Sequence, residues 1–307
     1  MHPAFSVIFL TTLIGVGQGL FLALFGIEAV GAQATPMFYV AGDALALAFL
    51  AAGLIASFFH LGRPLRAWRA VAMWRTSWLS REVIVLPVFM ALVALHGWAH
   101  YSAWNATLAL GAATAIVGLA LFYITAMNYV CIKFLQEWAT PLTIVNYTLL
   151  GCASGFTFAT LLTALVAPEL ARPLALWAVV FTAAAFVSRV ASLARNARLH
   201  HRSSLQTAIG IQHPRIAQKS QGFMGSSFNT REFFHGKSRQ VVQGVKWAFL
   251  VLAFPLPAAL LLAGAGEAAV SLAALAFVIQ YAGLVAERWF FFAQAAHPQN
   301  LYYQAAS

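Results

Sequence analysis

Apolar and polar positions in this chain segregate on the scale of whole helices rather than alternating within them. Mostly apolar runs of about 20 residues or more recur along the whole chain, separated by short polar stretches and one long polar segment. A bilayer core takes about 20 residues of helix to cross, so each run reads as a membrane span. Eight spans are predicted, over about 5–27, 38–59, 83–103, 107–131, 142–166, 173–194, 247–264 and 268–291. The first lacks a basic leader and is too long for a signal-peptide core, although Ala32-Gln33-Ala34 has the form of a cleavage site. The expectation is an all-α, polytopic membrane protein. Its residues 1–307 form a single transmembrane domain, with a long loop of about 195–246 between spans six and seven.

Composition removes the alternatives. The chain is 62% hydrophobic and only 8% charged, against roughly 25% charged in soluble domains. An outer-membrane barrel would instead show alternating segments of about 10 residues. Cys131 and Cys152 form no CxxC pair and imply no disulfide framework. The basic charge is a topology signal, not a sign of nucleic-acid binding. Counting span ends with their loops, every Lys and Arg except Arg172 falls on one side of the predicted bundle; Arg172 shares the other with Glu28, Glu169 and Glu267. Such an excess marks the cytoplasm. Both termini, the 60–82 connection and the 195–246 loop are therefore expected there.

The 60–82 connection is the densest polar island in the chain. It holds Arg63, Arg66, Arg69, Arg75, Arg81, Trp68, Trp74, Trp78, His60 and Glu82. Gly62 and Pro64 end span two, because a residue before proline is pushed out of the α region, and Pro64 can start a short helix. Leu65, Trp68 and Val71 or Ala72 would share one face of it, as in a helix lying in the membrane interface. Arginines and tryptophans at such a boundary are ordinary anchors. His60 and Glu82 are different: they stand at the same end of consecutive spans, and ionisable groups near hydrocarbon usually face protein or a cavity. A histidine and a carboxylate together can bond a carbonyl head and move protons near neutral pH, which is what a quinone requires.

Other candidates rest on position. Gln18, in Gly15-Val-Gly-Gln-Gly19 of span one, could bond across helices or touch the quinone, and the glycines suit close packing. Asp43, near the outer end of span two, suits an interhelical hydrogen bond or an outer proton route. Arg63, Arg81 and Trp78 could contact the quinone head. His96 and His100 share a face of span three at its outer end, far from His60, so no axial pair for haem is evident. The loop histidines have irregular spacing and no accompanying cysteines, so no metal site is expected. In the long loop, Phe223, Met224, Phe228, Phe233 and Phe234 are large apolar residues in polar surroundings. With Arg75 they are candidate partner-docking residues; the alternative is packing over the chain's own cytoplasmic face. A secondary transporter would show inverted repeats and interrupted helices near the midplane, and the pattern has no such symmetry.

Three segments carry a family resemblance: Thr11-Thr-Leu-Ile-Gly-Val-Gly-Gln-Gly19, His60-Leu-Gly-Arg-Pro64 and Ser80-Arg81-Glu82. They resemble the membrane anchors of the dimethyl sulfoxide reductase family of molybdoenzymes, over all eight spans. The long loop, in Gln206-Thr-Ala-Ile-Gly210 and Asn229-Thr-Arg-Glu-Phe-Phe-His-Gly236, is similar to the branch serving sulfite dehydrogenases. The resemblance implies a haem-free anchor in the bacterial inner membrane. It would hold a molybdopterin catalytic subunit and an iron–sulfur subunit, and those cofactors would reside only in the partners. It would exchange electrons with ubiquinone or menaquinone, with His60 and Glu82 at the quinone site. Electrons would run from sulfite to quinone, or in reverse from quinol toward dimethyl sulfoxide or polysulfide.

Overall fold

A computed structural model describes residues 1–200, 203–220, 232–264 and 266–303, without the side chain of Glu267. Among the described residues the structure is helical with no strand, and eight helical segments are long and apolar enough to cross a membrane. They are α1 (Phe5–Ala29), α2 (Pro36–Phe58), α3 (Trp78–Tyr101), α4 (Thr107–Val130), α5 (Pro141–Val166), α6 (Pro168–Asn196), a seventh segment in two pieces, and a last helix, Ala269–Ala293. A short helix, α7 (Leu205–Ile209), stands in the long loop. The seventh span consists of α8 (Arg239–Leu252) and α9 (Pro255–Ala263), and Ala269–Ala293 is α10.

Local chemistry sets the helix starts. Proline opens α2, α5, α6 and α9, where its missing N–H costs nothing. Thr35, Ser77, Thr140 and Ser238 cap α2, α3, α5 and α8 through their hydroxyls, satisfying N–H groups that lack partners in the first turn. Three boundaries differ from the expected spans. α3 begins at Trp78, so Glu82 lies inside the helix. α6 begins at Pro168, and Pro173 stands within it. The seventh span starts outside the apolar run, at Arg239, and breaks before Pro255. Proline cannot continue the hydrogen-bond ladder, and the Ala253 carbonyl at the break accepts instead from Gln280 Nε2 of α10 at 3.3 Å. Within a membrane, a freed backbone group needs such a substitute.

α1 is the central helix. It packs against α2, α4, α5 and α10, and its buried residues run around its whole circumference. Glycine makes this possible. A Cβ on Gly19 would lie 2.1 Å from the Gly151 carbonyl oxygen, and one on Gly155 would lie 2.1 Å from the Gly19 carbonyl carbon. The α1 and α5 backbones therefore touch, as expected for a close small-residue crossing. Gly155→Ala should force these helices apart, at the roughly 1–3 kcal/mol typical of overpacking. The check is thermal unfolding of the purified complex; an unchanged midpoint would mean that the crossing yields without cost.

The helix ends define two faces. The α-amino group of Met1 donates to the Ala295 carbonyl at 2.9 Å, so the N-terminus and the end of α10 meet on one face. The 60–82 connection and the long loop emerge there as well. We call it the basic face.

Candidate functional site

Between α2 and α3 the chain runs Pro64–Met73 as a 3-10 helix with no buried residue. Arg63 before it lies outside the α region, at φ −142° and ψ 74°, as the residue preceding a proline is pushed to be. Three residues per turn stack Leu65, Trp68 and Val71 in one row. These side chains are 93%, 69% and 40% exposed, an apolar strip suited to the headgroup boundary. Arg69 and Arg75 lie over the rings of Trp68 and Trp74 at 5.5 and 5.4 Å. Arg81 is committed locally: Nε donates to the Trp74 carbonyl at 3.0 Å, Nη2 donates to that of Arg75 at 2.8 Å, and the guanidinium covers Trp78 at 4.1 Å. Arg63, Arg75 and Arg81 do not line the cleft described next.

Beside this connection a cleft of about 540 Å³ opens on the basic face. His60, Trp78 and Glu82 share its lining with Thr11, Thr125 and Asn128. Glu82 is 6% exposed and lies one turn inside α3. One carboxylate oxygen accepts from Thr125 Oγ1 at 2.7 Å, and the other accepts from Asn128 Nδ2. Thr125 and Asn128 are three residues apart on α4, so they project from one helix face. His60 is exposed at the rim. Partial desolvation of its ring lowers its pKa from the ordinary histidine value, since burial disfavours the charged form. The neutral imidazole that this favours has one N–H to donate and one nitrogen to accept. Sequence reasoning missed Thr125 and Asn128, because a threonine and an asparagine in an apolar run carry no signal until their neighbours are known.

Gln18 lies deeper and is buried. Its Nε2 donates to the Gly118 carbonyl of α4 at 2.9 Å, and it lines a small cavity of about 20 Å³ with Thr125, Tyr147 and Arg288. That is room for about one water. Beyond the cavity stands a buried charge cluster. Glu287 Oε1 lies 2.6 Å from Arg189 Nε and Oε2 lies 2.9 Å from Arg288 Nε, with all three side chains at most 5% exposed. Arg288 also covers Tyr147 at 3.8 Å. Arg189 and Arg288, although they lie near span ends, both turn inward onto Glu287.

At the opposite face, Asp43 makes the interhelical bond considered for it. Its Oδ2 lies 2.8 Å from His96 Nδ1. Among the docking candidates, Phe233 stacks on His297 at 3.8 Å, and its carbonyl accepts from Asn300 Nδ2 at 3.0 Å. This part of the loop folds onto the chain's own C-terminal segment. Phe234 is half-buried. Phe223, Met224 and Phe228 lie outside the described residues.

Eight apolar segments around a glycine-tight centre, with a polar cleft at the basic face, define a multi-pass membrane protein with an interfacial polar site. Residues 1–294 match the family model of the DMSO reductase anchor subunit (DmsC), and the chain belongs to that family. It is 51% identical, over 325 aligned positions spanning all of both chains, to a protein of Allochromatium vinosum named as a subunit of sulfite dehydrogenase. It is therefore the membrane anchor subunit of a DMSO reductase-type molybdoenzyme complex, which implies catalytic partner subunits.

Proposed function

We propose that this anchor carries the quinone site of a sulfite-oxidising complex, in the cleft between His60 and Glu82. The complex would sit in the bacterial inner membrane with its partners on the cytoplasmic side. The observation that carries the reading is the shared lining: the one buried carboxylate of the cleft and the histidine at its rim face the same space, beside a membrane boundary. Its volume lies within the roughly 300–1,000 Å³ usual for small-molecule sites. The excess of Lys and Arg on this face supports the cytoplasmic orientation.

A quinone becomes a quinol by taking two electrons and two protons. The electrons would come from an iron–sulfur centre of a partner docked on the basic face, after a molybdopterin subunit has oxidised sulfite. The protons would come from this chain's side chains. Glu82, held at both oxygens by Thr125 and Asn128, has a fixed position for proton exchange with one quinone oxygen. His60, at the water-exposed rim, can take a proton from the cytoplasm on one ring nitrogen as the other passes one to the second quinone oxygen. Trp78 supplies an apolar wall, and the row of Leu65, Trp68 and Val71 keeps the cleft mouth level with the headgroups. Quinol oxidation would use the same groups in reverse; the name of the full-length relative favours sulfite as electron donor.

The test uses the intact purified complex with sulfite and either a short-chain quinone or a soluble electron acceptor. His60→Leu should lower quinone-linked turnover about tenfold or more, equivalent to roughly 1.4 kcal/mol, and leave turnover with the soluble acceptor unchanged. Equal rates in variant and parent with both acceptors would remove His60 from the site. Loss of sulfite turnover with both acceptors, in an assembled complex, would remove quinone reduction as the specific role.

A further inference from the structure

The face opposite the quinone cleft holds a second cluster, which nothing in the proposed function uses. Glu28 near the end of α1 meets His96 and His100 of α3. His96 Nε2 is 3.2 Å from Glu28 Oε2, and His100 Nε2 is 3.6 Å from Glu28 Oε1. One ligand atom from each residue can be chosen so that all three lie within 4.8 Å of one another. His96 stands fourteen positions beyond Glu82, roughly 21 Å along α3. The cluster is therefore separate from the cleft.

We infer that Glu28, His96 and His100 form a binding site for a divalent transition-metal ion, with zinc the best match to two imidazoles and a carboxylate. Four features carry this. First, the donor types are right: zinc takes imidazole nitrogen and carboxylate oxygen at about 2.0–2.2 Å. Two ligands of one tetrahedral ion then lie roughly 3.3 Å apart, and each imidazole stands near that distance from one of the two Glu28 oxygens. Second, His96 is already oriented. Asp43 Oδ2 sits 2.8 Å from its Nδ1, so a proton held there turns the Nε2 lone pair toward Glu28. Metal-binding histidines characteristically have such a carboxylate behind them. Third, His100 Nε2 is buried without a hydrogen-bond partner. It faces a carboxylate oxygen from beyond hydrogen-bond reach, and Tyr39 stacked at 4.1 Å holds its ring. A shared ion would replace this loose 3.6 Å contact with direct ligation. Fourth, α4 presents no side chain beside the ligands: a Cβ on Gly111 would lie 3.1 Å from His96 Nε2 and 3.2 Å from Glu28 Oε2, as well as 2.8 Å from Phe25 Cδ2.

Charge points the same way. With neutral histidines, Glu28 and Asp43 place two negative charges among largely buried side chains at a membrane boundary, an expensive arrangement when uncompensated. A divalent cation balances them. The ion would tie α1 directly to α3, with α2 holding one ligand through Asp43. Its role is that of a structural staple on the face away from the partner subunits.

The experiment is zinc analysis of the whole purified complex by mass spectrometry, after equilibration with zinc and removal of loosely bound metal. The parent should retain about one zinc per anchor chain. His100→Ala, which leaves the Asp43–His96 bond intact, should lose it, and Asp43→Asn should weaken retention by about 10–100-fold. Gly111→Ala should also lower retention, because it crowds His96 and Glu28, together with Phe25, without removing any ligand. Stripping zinc from the parent should lower its unfolding midpoint, and adding zinc back should restore it. A parent that retains no zinc above the buffer background overturns the proposal, and this reading does not depend on any variant folding. Equal retention by the parent and by an assembled His96→Ala/His100→Ala variant identifies an adventitious ion only and overturns it too. Quinone-linked turnover need not change in either case, so failure here is distinguishable from failure of the quinone site.

Discussion

Replacing Glu82 by glutamine should reduce quinone-linked turnover by two orders of magnitude or more while leaving the complex assembled. Glutamine has nearly the same shape, and its carbonyl can still accept from Thr125 Oγ1. Its NH2 would meet the Asn128 amide, which can turn its own oxygen to receive it. Packing is thus preserved, and what disappears is the ability to exchange a proton at that position. A positioned acid or base typically contributes about 10²–10⁴-fold. Glu82→Asp keeps the carboxylate but shortens its reach by one methylene, so it should retain an intermediate rate. The measurement is turnover of the purified complex with a quinone and with a soluble acceptor, side by side. Full quinone activity in Glu82→Gln would move proton exchange to another group of the cleft. Equal loss with both acceptors would instead mean that Glu82 supports docking of the electron-transfer partner.

The second large effect is structural. Glu287→Ala should leave Arg189 and Arg288 buried side by side with no counter-charge. Removing one partner of a buried pair costs about 3–5 kcal/mol, a large share of the roughly 5–15 kcal/mol that holds a typical domain together. The expected result is a sharp fall in the amount of anchor in the membrane fraction and in its unfolding midpoint. Removing the whole cluster, as Arg189→Met/Glu287→Leu/Arg288→Met, should recover much of that loss, because well-packed apolar replacements of buried ion pairs are often neutral. A Glu287→Ala anchor that accumulates and unfolds like the parent would show that water reaches the arginines. If the triple variant is stable but slow with quinone, then the cluster also acts on the cleft. Arg288 and Thr125 line the same small cavity, and Thr125 is bonded to Glu82.

The two variants illustrate what sequence reading could reach. Glu82 was legible because a carboxylate at the start of an apolar run is rare, and because the histidine closing the preceding span must lie at the same end. Its partners Thr125 and Asn128 were not legible. Glu287 and Arg288 are adjacent near the end of the last span; only α6, bringing Arg189 against Glu287, reveals a buried triad. His96 and His100 were recognised as sharing a helix face, but their spacing could not say that Glu28 of another helix lies between them. Gln18 is open between two roles in the sequence, and its position along the run could not say that its amide donates to Gly118 of α4.

The sequence by itself determined the helical, eight-span architecture, the uneven placement of Lys and Arg at the helix ends, and the presence of His60 and Glu82 at one end of neighbouring spans. These are local properties: the length of an apolar run, the sign of the charges beside it, and the place of a residue along it. Only the tertiary structure decided which polar groups meet inside the bundle. In a chain whose lipid-facing and protein-facing surfaces are both apolar, hydrophobic pattern carries little information about helix rotation or neighbours. Those are set by contacts such as Gly19 against Gly151 and Gly155, where two backbones approach as closely as atoms allow. From that packing follow the partners of Glu82, the enclosure of Glu287 between two arginines, and the meeting of Glu28 with His96 and His100.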